Sequence, residues 1–241
     1  MKISIVVPAF NEEKLLAASL ASIRQAMGAF DERGWESELI VCDNNSTDRT
    51  PELARAAGAL VVFEPLNQIA RARNKGAEAA AGDWLVFVDA DSHPSRELFA
   101  ETADAMQSGK FLYGGCTVKL DQPHPLANVA VGLWNFISRV GKYAAGSFIF
   151  CETAAFRQIG GFDNRLFASE EIDLSKRLKR VARDQGKRAT ILHRHPLVTS
   201  ARKMHLYTGR EHFLFLLRTV IGGGRTLRSR EQCHTWYDGR R

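Results

Sequence analysis

The 241-residue chain is 45% hydrophobic and 25% charged, a composition that excludes a disordered or fibrous protein. Its length predicts one domain with an appendage rather than two domains. The formal net charge of +6 is carried by residues 201–241, which contain nine basic and three acidic side chains. This asymmetry fits either an anionic partner, such as a lipid headgroup or a polyanion, or a solvated basic face.

The cysteines and the N-terminus bear on the cellular compartment. Four cysteines lie far apart and lack metal-ligand spacing: Cys42, Cys116, Cys151 and Cys233. This spacing predicts reduced thiols, with Cys42 and Cys151 packed in the core. The first apolar segment, residues 3–7, is too short for a signal-peptide core, and no stretch reaches the roughly 20 residues of a membrane span. We therefore expect a cytoplasmic protein, with peripheral attachment to the inner face of the membrane as an alternative.

Apolar strand-like runs alternate with helix-periodic segments through the first half of the chain, which predicts a parallel sheet with crossover helices. The predicted strands are residues 3–7, 39–42, 60–63 and 84–88. The first predicted helix is capped by Asn11 and carries apolar residues as far as Met27. The next three are residues 48–57 (with Asp48 as a cap), 70–81 and 95–106.

The second half contains more varied segments. Strands are predicted at residues 111–120 and 147–153, with a helix at 126–140 between them. After a turn at Gly160-Gly161, Ser169 is expected to cap a helix at residues 170–181. The whole pattern predicts one α/β domain whose mostly parallel, mixed sheet is flanked by helices.

Residues 84–91 (WLVFVDAD) are an unbroken apolar run followed by two carboxylates, Asp89 and Asp91. Such a run predicts a strand buried on both faces of a sheet, and ligands bind beyond the carboxyl ends of these strands. Two carboxylates at that place suit a hard divalent cation that also holds phosphates. Alternatively, both aspartates are turn residues before a helix that Ser95 caps.

Two further polar loops follow predicted strands and open on the same edge of the sheet. The carboxylates of Glu12 and Asp43 can accept hydrogen bonds from a base N–H or a ribose hydroxyl. Arg71 and Arg73 begin the next helix, where a guanidinium can offset phosphate charge. Arg71 is equally well explained as a solvated side chain.

Seven short motifs occur along the chain: VVPAFNEE (6–13), VCDNNSTDRT (41–50), ARNKG (72–76), FVDAD (87–91), AAGSF (144–148), GGFD (160–163) and EEIDL (170–174). Their order and spacing resemble the family 2 glycosyltransferases, which bind nucleotide sugars on a GT-A fold. The resemblance runs from Ile3 to about Arg202. It implies one glycosyltransferase domain over residues 1–200, with a Rossmann-like nucleotide-sugar-binding half at 1–106 and an acceptor half at 107–200.

The resemblance also implies a donor site. The residues that would line the nucleotide-sugar pocket are Pro8, Ala9, Phe10, Glu12, Asp43, Arg73, Asp89 and Asp91, with Asp43 on the base. Asp89 and Asp91 match the family's Asp-x-Asp motif, in which the second aspartate holds Mn²⁺ or Mg²⁺ against the diphosphate. A histidine in the stretch that ends with Ser200 and Arg202 can complete the metal shell, and we place His195 in that role ahead of His193.

Glu170-Glu171 occupies the place where this family typically has Glu-Asp, whose second carboxylate takes the proton of the acceptor hydroxyl. The resemblance therefore implies that Glu171 is the general base, with Glu170 and Asp173 as alternates. Acidic residues in a first helical turn also favour the helix dipole, so a purely structural role is the alternative.

These expectations combine into an inverting, metal-dependent glycosyltransferase that moves a sugar from a nucleoside diphosphate sugar to a hydroxyl of a glycan, a lipid-linked or a small-molecule acceptor. The alternatives are an Asp-dependent phosphohydrolase and a non-catalytic sugar-nucleotide-binding or membrane-binding module. No nucleic-acid partner is expected. The apolar stripe at residues 204–221, within the basic C-terminal segment, fits packing on the domain, a homodimer contact or peripheral contact with an anionic membrane.

Overall fold

The computed structural model describes residues 1–122 and 125–202, which form an eight-stranded sheet with helices on both faces. The strands are β1 (Lys2–Ala9), β2 (Glu36–Asp43), β3 (Leu60–Phe63), β4 (Trp84–Val88), β5 (Ser92–His93), β6 (Phe111–Leu120), β7 (Phe148–Glu152) and β8 (Arg188–Thr199). The helices are α1 (Leu16–Asp31), α2 (Thr50–Ala56), α3 (Ile69–Glu78), α4 (Arg96–Gln107), α5 (Pro125–Gly141), α6 (Thr153–Gln158) and α7 (Glu170–Asp184). Across the sheet the strands run in the order β3-β2-β1-β4-β7-β6-β8-β5.

The first four strands are parallel, and β1 lies between β2 and β4. Ile3 and Ile5 of β1 pack in the core beneath α1 and α4, whereas Val6 packs in the opposite core beneath α3. A strand covered on both faces needs apolar residues at successive positions, which is why its sequence is a continuous apolar run. Helix α3 approaches closely at Gly76, where an added Cβ would lie 2.4 Å from Val6 Cγ1. The predicted parallel sheet with crossover helices is confirmed.

The second half makes the sheet mixed, as predicted. β7 is antiparallel to both β4 and β6, whereas β8 is parallel to β6. The 12-residue strand β8 was not predicted, because His193, Arg194 and His195 interrupt its apolar pattern. Only the two-residue strand β5 lies beyond β8 in the sheet, so polar side chains on β8 can reach solvent. The short β5 and α6 were also missed.

One predicted helix cap is wrong, and a second is right in its position only. Asn11 has a left-handed backbone (φ 51°), its side-chain oxygen accepts the Thr47 N–H at 2.8 Å, and α1 begins several residues later. Ser169 does precede α7, but it too is left-handed (φ 60°) and makes no side-chain cap hydrogen bond. The cap at Ser95 is confirmed, because its hydroxyl oxygen accepts the Leu98 N–H at 3.2 Å.

The sequence also made predictions about the cysteines and about membrane spans. The three cysteines within the described ranges are buried free thiols, and the core packing of Cys42 and Cys151 is confirmed. Within the same ranges, none of the helices combines the length and apolar character needed to cross a bilayer. Cys233 and the apolar stripe at residues 204–221 lie outside the described residues.

Candidate active site

The loops that follow β1 and β2 are joined to each other by hydrogen bonds and form one wall of the candidate site. The Asn11 N–H donates to the Ser46 hydroxyl at 3.0 Å, and the Thr47 N–H donates to the Asn11 side chain at 2.8 Å. Farther along, the Glu12 N–H donates to the Thr50 hydroxyl at 2.8 Å. The two loops therefore hold each other in place.

Asp43 and Glu12 place buried carboxylates on this wall. Asp43 ends β2 opposite Ala9 in the parallel register, one position beyond Pro8. Its Oδ1 accepts a backbone N–H three residues later at 3.0 Å, which fixes the direction of the side chain. Phe10, which follows Ala9 at the end of β1, is half-buried. The structure thus brings together the residues that the resemblance assigned to the nucleotide from both loops.

Asp91 lies where the end of β8 meets the segment that follows β4. The Ser200 N–H donates to the Asp91 carbonyl oxygen at 3.2 Å. From this point Arg202 reaches both carboxylate oxygens of Glu12, at 2.9 and 3.0 Å, and lies 3.8 Å from the Asp91 carboxylate. A guanidinium therefore stands between the β1 loop and Asp91, where it could offset the charge of a diphosphate.

The acidic residues at this edge fit a divalent cation that is shared with a substrate rather than one enclosed by protein ligands. Across residues 1–122 and 125–202, no three His, Cys, Asp or Glu side chains converge to hold a metal ion. Mg²⁺ is usually bound through only one or two carboxylates, together with substrate phosphates and waters. Asp91, which is 7% exposed, supplies such a carboxylate beside the Arg202 cation.

His195 is placed within β8, four positions before its last residue. It lies near Glu97 in the first turn of α4. Hydrogen bonds from the backbone N–H of Glu97 itself and from Ser95 lower the pKa of the Glu97 carboxyl, and the charge of His195 contributes further. His193 is exposed. The metal-ligand role of His195 stays a prediction.

Arg73 lies beneath the site rather than on its wall. Its side chain is 1% exposed, and its guanidinium bonds to Glu170 at 2.7 Å and to Asp89 at 2.9 Å. It also donates to the Gly146 carbonyl oxygen at 2.7 Å and packs over the Phe162 ring. Burial alone would lower the pKa of Arg73, but the surrounding carboxylates raise it, so the guanidinium stays charged. Arg73 therefore ties the Asp-x-Asp motif to the first turn of α7.

Glu171 differs from its neighbour Glu170 in its environment. Glu170 is buried and paired with Arg73, whereas Glu171 is half-buried and lies close to Gly146. A Cβ added at Gly146 would lie 3.7 Å from the Glu171 carboxyl carbon. Burial raises the pKa of Glu171 to about 8, and the negative charge of Glu170 adds to the effect. A carboxyl group with a pKa near the working pH suits proton transfer.

Asp173, the alternate base, has a structural partner. Its Oδ2 accepts from Arg177 Nε at 2.7 Å, one turn along α7. Arg177 in turn donates to the carbonyl oxygens of Ile159 and Gly161 at 2.9 and 2.6 Å. Asp173 therefore helps to hold the turn after α6. Of the three acidic residues in the first turn of α7, Glu170 and Asp173 are both held by arginines, so the geometry favours Glu171 as the proton acceptor.

Comparison with known proteins identifies the family. The family model described as glycosyl transferase family 2 matches residues 4–158. The chain belongs to this family. The resemblance that the seven motifs indicated is therefore confirmed.

The curated relatives of this family 2 chain are mostly longer proteins. An uncharacterized glycosyltransferase, YfnE of Bacillus subtilis, is 33% identical over 113 residues. The dolichol-phosphate mannosyltransferase of Pyrococcus furiosus is 29% identical over 117 residues. Each match covers 45% of this chain, and the chain spans only 28% and 31% of these two relatives.

Solved structures of other glycosyltransferases share the fold. The mannosyltransferase PcManGT from Pyrobaculum calidifontis, in complex with GDP-Man and Mn²⁺, has a TM-score of 0.67 at 22% identity, covering 88% of this chain and 59% of that one. S. aureus TarS in complex with UDP-GlcNAc has a TM-score of 0.64 at 21% identity, covering 98% of this chain and 69% of that one. At these identities the likeness shows the fold alone, and it confirms the predicted GT-A architecture.

Two polar residues that the sequence analysis did not single out hold the loop before α7 against α3. The Asn74 side chain donates to the Phe162 carbonyl oxygen and accepts the Phe162 N–H, both at 2.9 Å. Gln68 donates to two carbonyl oxygens of the same loop at 2.8 Å. Gly161 has a φ of 70°, and an added Cβ would lie 2.5 Å from the Asn74 side-chain oxygen. Asn74 and Gly161 belong to motifs already marked, but sequence does not show that these motifs contact each other.

Replacing Glu171 by glutamine in this family 2 protein should increase its stability at alkaline pH. The pKa of Glu171 is raised in the folded state, so the folded protein binds the proton more tightly than the unfolded chain does. The free energy of unfolding of the wild type therefore falls as pH rises from about 4.5 to about 8 because of this group. Urea unfolding at several pH values should show a stability advantage of Glu171→Gln that grows across this range. A pH-independent difference would contradict the raised pKa.

Proposed function

We propose that this protein is an inverting, metal-dependent glycosyltransferase that transfers a sugar from a nucleoside diphosphate sugar to an acceptor hydroxyl. The observation that carries the proposal is the separation of roles among the acidic residues at one edge of the sheet. Asp91 stands beside a guanidinium on the donor side, Glu170 is fixed in an internal ion pair, and Glu171 is partly exposed and has a raised pKa. Ligands named for the fold neighbours, GDP-Man with Mn²⁺ and UDP-GlcNAc, support this donor class.

The donor would be held mainly by the half of the chain at residues 1–106, together with Arg202 from the segment after β8. Asp43 and Glu12 would accept hydrogen bonds from the base and the ribose, since their carboxylates lie on the wall formed by the loops after β1 and β2. Arg202 would exchange part of its contact with Glu12 for the diphosphate. Asp91 would hold the Mn²⁺ or Mg²⁺, which supplies positive charge to the leaving diphosphate when it is bound.

The acceptor would be held by residues 107–200, in front of Glu171. In the proposed reaction the Glu171 carboxylate takes the proton of the acceptor hydroxyl while the hydroxyl oxygen attacks the anomeric carbon. The attack comes from the face opposite the leaving diphosphate, so the configuration at that carbon is inverted. Arg73 holds Glu170 away from this role and orients Asp89 at the same time. The acceptor would be a glycan, a lipid-linked molecule or a small molecule.

The contacts weigh against the phosphohydrolase alternative. An aspartate nucleophile must be free to attack phosphorus, but Asp89 is bonded at 2.9 Å to a fully buried guanidinium. That alternative also leaves Glu171 and the Asp43 loop without a role. Release of inorganic phosphate from simple phosphoesters, without any requirement for a sugar nucleotide, would support the phosphohydrolase alternative.

Replacing Asp91 by asparagine should remove most of the cation-dependent binding of the nucleotide, because an amide has no charge to hold the ion. A thermal-shift panel of UDP, GDP, dTDP and CDP with and without Mn²⁺ first identifies the nucleotide, since a bound ligand raises apparent stability. Calorimetry then compares the wild type with Asp91→Asn. The same change at exposed Asp31, at the end of α1, is the control and should leave binding unchanged. Equal Mn²⁺-dependent binding by Asp91→Asn would rule out this role.

A further inference from the structure

Helix α5 presents an apolar face to solvent. Five of its large apolar side chains are 43–73% exposed: Val129, Leu133, Phe136, Ile137 and Val140. Their spacing of mainly three and four residues puts them on one side of the helix. Single exposed apolar residues are ordinary on protein surfaces, whereas a continuous row of this kind marks an interaction site. We call these five residues the α5 row.

Polar contacts on the inner side of α5 keep the row facing outward. The Asn135 side chain accepts the Val118 N–H at 3.0 Å and donates to the Val118 carbonyl oxygen at 2.9 Å. Val118 lies beyond Gly115, the last residue of β6 that pairs with β7. Buried Ser138 donates to the Tyr143 carbonyl oxygen at 2.6 Å. Turning the row inward would break these bonds.

The charge beside the row is positive. Arg139 is the one charged residue of α5. Together with Lys142, Arg194 and His193 it lines a cavity of about 470 Å³ at the end of the row, where Glu101 is the acidic member of the lining. The cavity thus combines an apolar wall from the row with several basic side chains, which suits an amphiphile that has an anionic head.

We propose that the α5 row docks on an anionic lipid surface, inserting among the acyl chains while Arg139, Lys142 and Arg194 meet the headgroup phosphates. Charge complementarity favours this occupant over a second copy of the chain. A second α5 helix offers no acidic residue to pair with Arg139, whereas an anionic bilayer offers an apolar phase and negative charge side by side. Residues 201–241 also carry more basic than acidic side chains, so their net charge is positive like that beside the α5 row.

Such docking would bring the bilayer near the acceptor side of the candidate site. Helix α5 ends at Gly141, five residues before Gly146, whose carbonyl oxygen accepts from Arg73. Five residues span at most about 18 Å even when fully extended. The proposal goes beyond the transfer reaction and is tested by lipid binding alone, so its failure would leave the proposed catalytic roles unaffected.

The test is co-sedimentation of the 241-residue chain with vesicles of phosphatidylcholine, with and without phosphatidylglycerol, over a series of salt concentrations. The wild type should bind the phosphatidylglycerol vesicles at low salt and bind more weakly at high salt. The double variant Leu133→Ser/Phe136→Ser should lower the partition coefficient at least about tenfold, because both side chains would otherwise leave water. The control is Phe63→Ser on β3, which is similarly exposed (54%) at the far end of the sheet and should change nothing. Thermal unfolding verifies that all variants fold.

Three results would overturn the proposal. The first is no binding of the wild type to anionic vesicles at low salt. The second is vesicle binding that the double variant retains in full, which would assign it to another segment. The third is a dimer in lipid-free solution that the double variant dissociates, which would make the α5 row a contact between two copies of the chain.

Discussion

Replacing Glu171 by glutamine should lower turnover by about 10²–10⁴-fold while leaving donor affinity nearly unchanged. The amide keeps the size and much of the hydrogen bonding of the side chain but cannot accept the proton of the acceptor hydroxyl. The donor contacts at Asp43, Glu12 and Asp91 are untouched by the change. Steady-state kinetics at saturating donor and calorimetric titration with the cognate nucleotide diphosphate would measure the two effects separately. The gain in alkaline stability expected for the same variant shows at once whether it is folded.

Asp173→Asn is the matched control for that experiment. Asp173 lies in the same turn of α7, but its carboxylate is bonded to Arg177 at 2.7 Å and serves the turn after α6. This variant should lose some stability and keep most of its turnover. The reverse pattern, with near-normal transfer by Glu171→Gln and a severe loss in Asp173→Asn, would move the base to Asp173.

Replacing Arg73 by methionine should destabilise the fold by about 3–5 kcal/mol, because removal of one partner leaves buried charges without compensation. Glu170, with a side chain only 5% exposed, would lose its ion pair at 2.7 Å, and Asp89 would lose its bond at 2.9 Å. The Gly146 carbonyl oxygen would lose a donor as well. Urea unfolding at neutral pH would measure the change in the free energy of unfolding.

Arg165→Met gives the comparison. Arg165 forms an ion pair with Asp163 at 2.8 Å, but its own side chain is 76% exposed, so the loss should stay within about 1 kcal/mol. Adding Glu170→Gln to Arg73→Met should recover part of the lost stability, since it removes one of the stranded buried charges. If Arg73→Met costs no more than Arg165→Met, the internal network contributes little to the fold.

The parallel half of the sheet could be predicted because of how its strands are covered. Residues of β1 and β4 are buried on both faces, so they appear in the sequence as continuous apolar runs. β8 could not be predicted in this way. It lies close to the open edge of the sheet, where His193 and Arg194 reach solvent, and its pairing with β6 is a long-range contact that no local pattern records.

The position of the candidate site could be predicted from the sequence. Asp43, Asp89 and Asp91 lie at the carboxyl ends of parallel strands, and these ends meet at one edge of the sheet. The burial of Arg73 could not be predicted from sequence. A charged side chain can be buried only where partners meet it, and here they come from three separate segments, at Asp89, Gly146 and Glu170. The cap predicted at Asn11 failed for a related reason, since the Asn11 side chain is bonded to the neighbouring loop instead.

The hydrogen bonds between the loops after β1 and β2 bear on how donor preference could be re-engineered. Residues 9–13 and 44–50 each supply donors and acceptors to the other, so a graft of one loop from a relative would strand unmatched polar groups in both. Neither Arg73 nor Glu171 lies within these two segments. The pair of loops is therefore the smallest unit that could be exchanged between members of the family while Arg73 and the proposed base Glu171 stay unchanged.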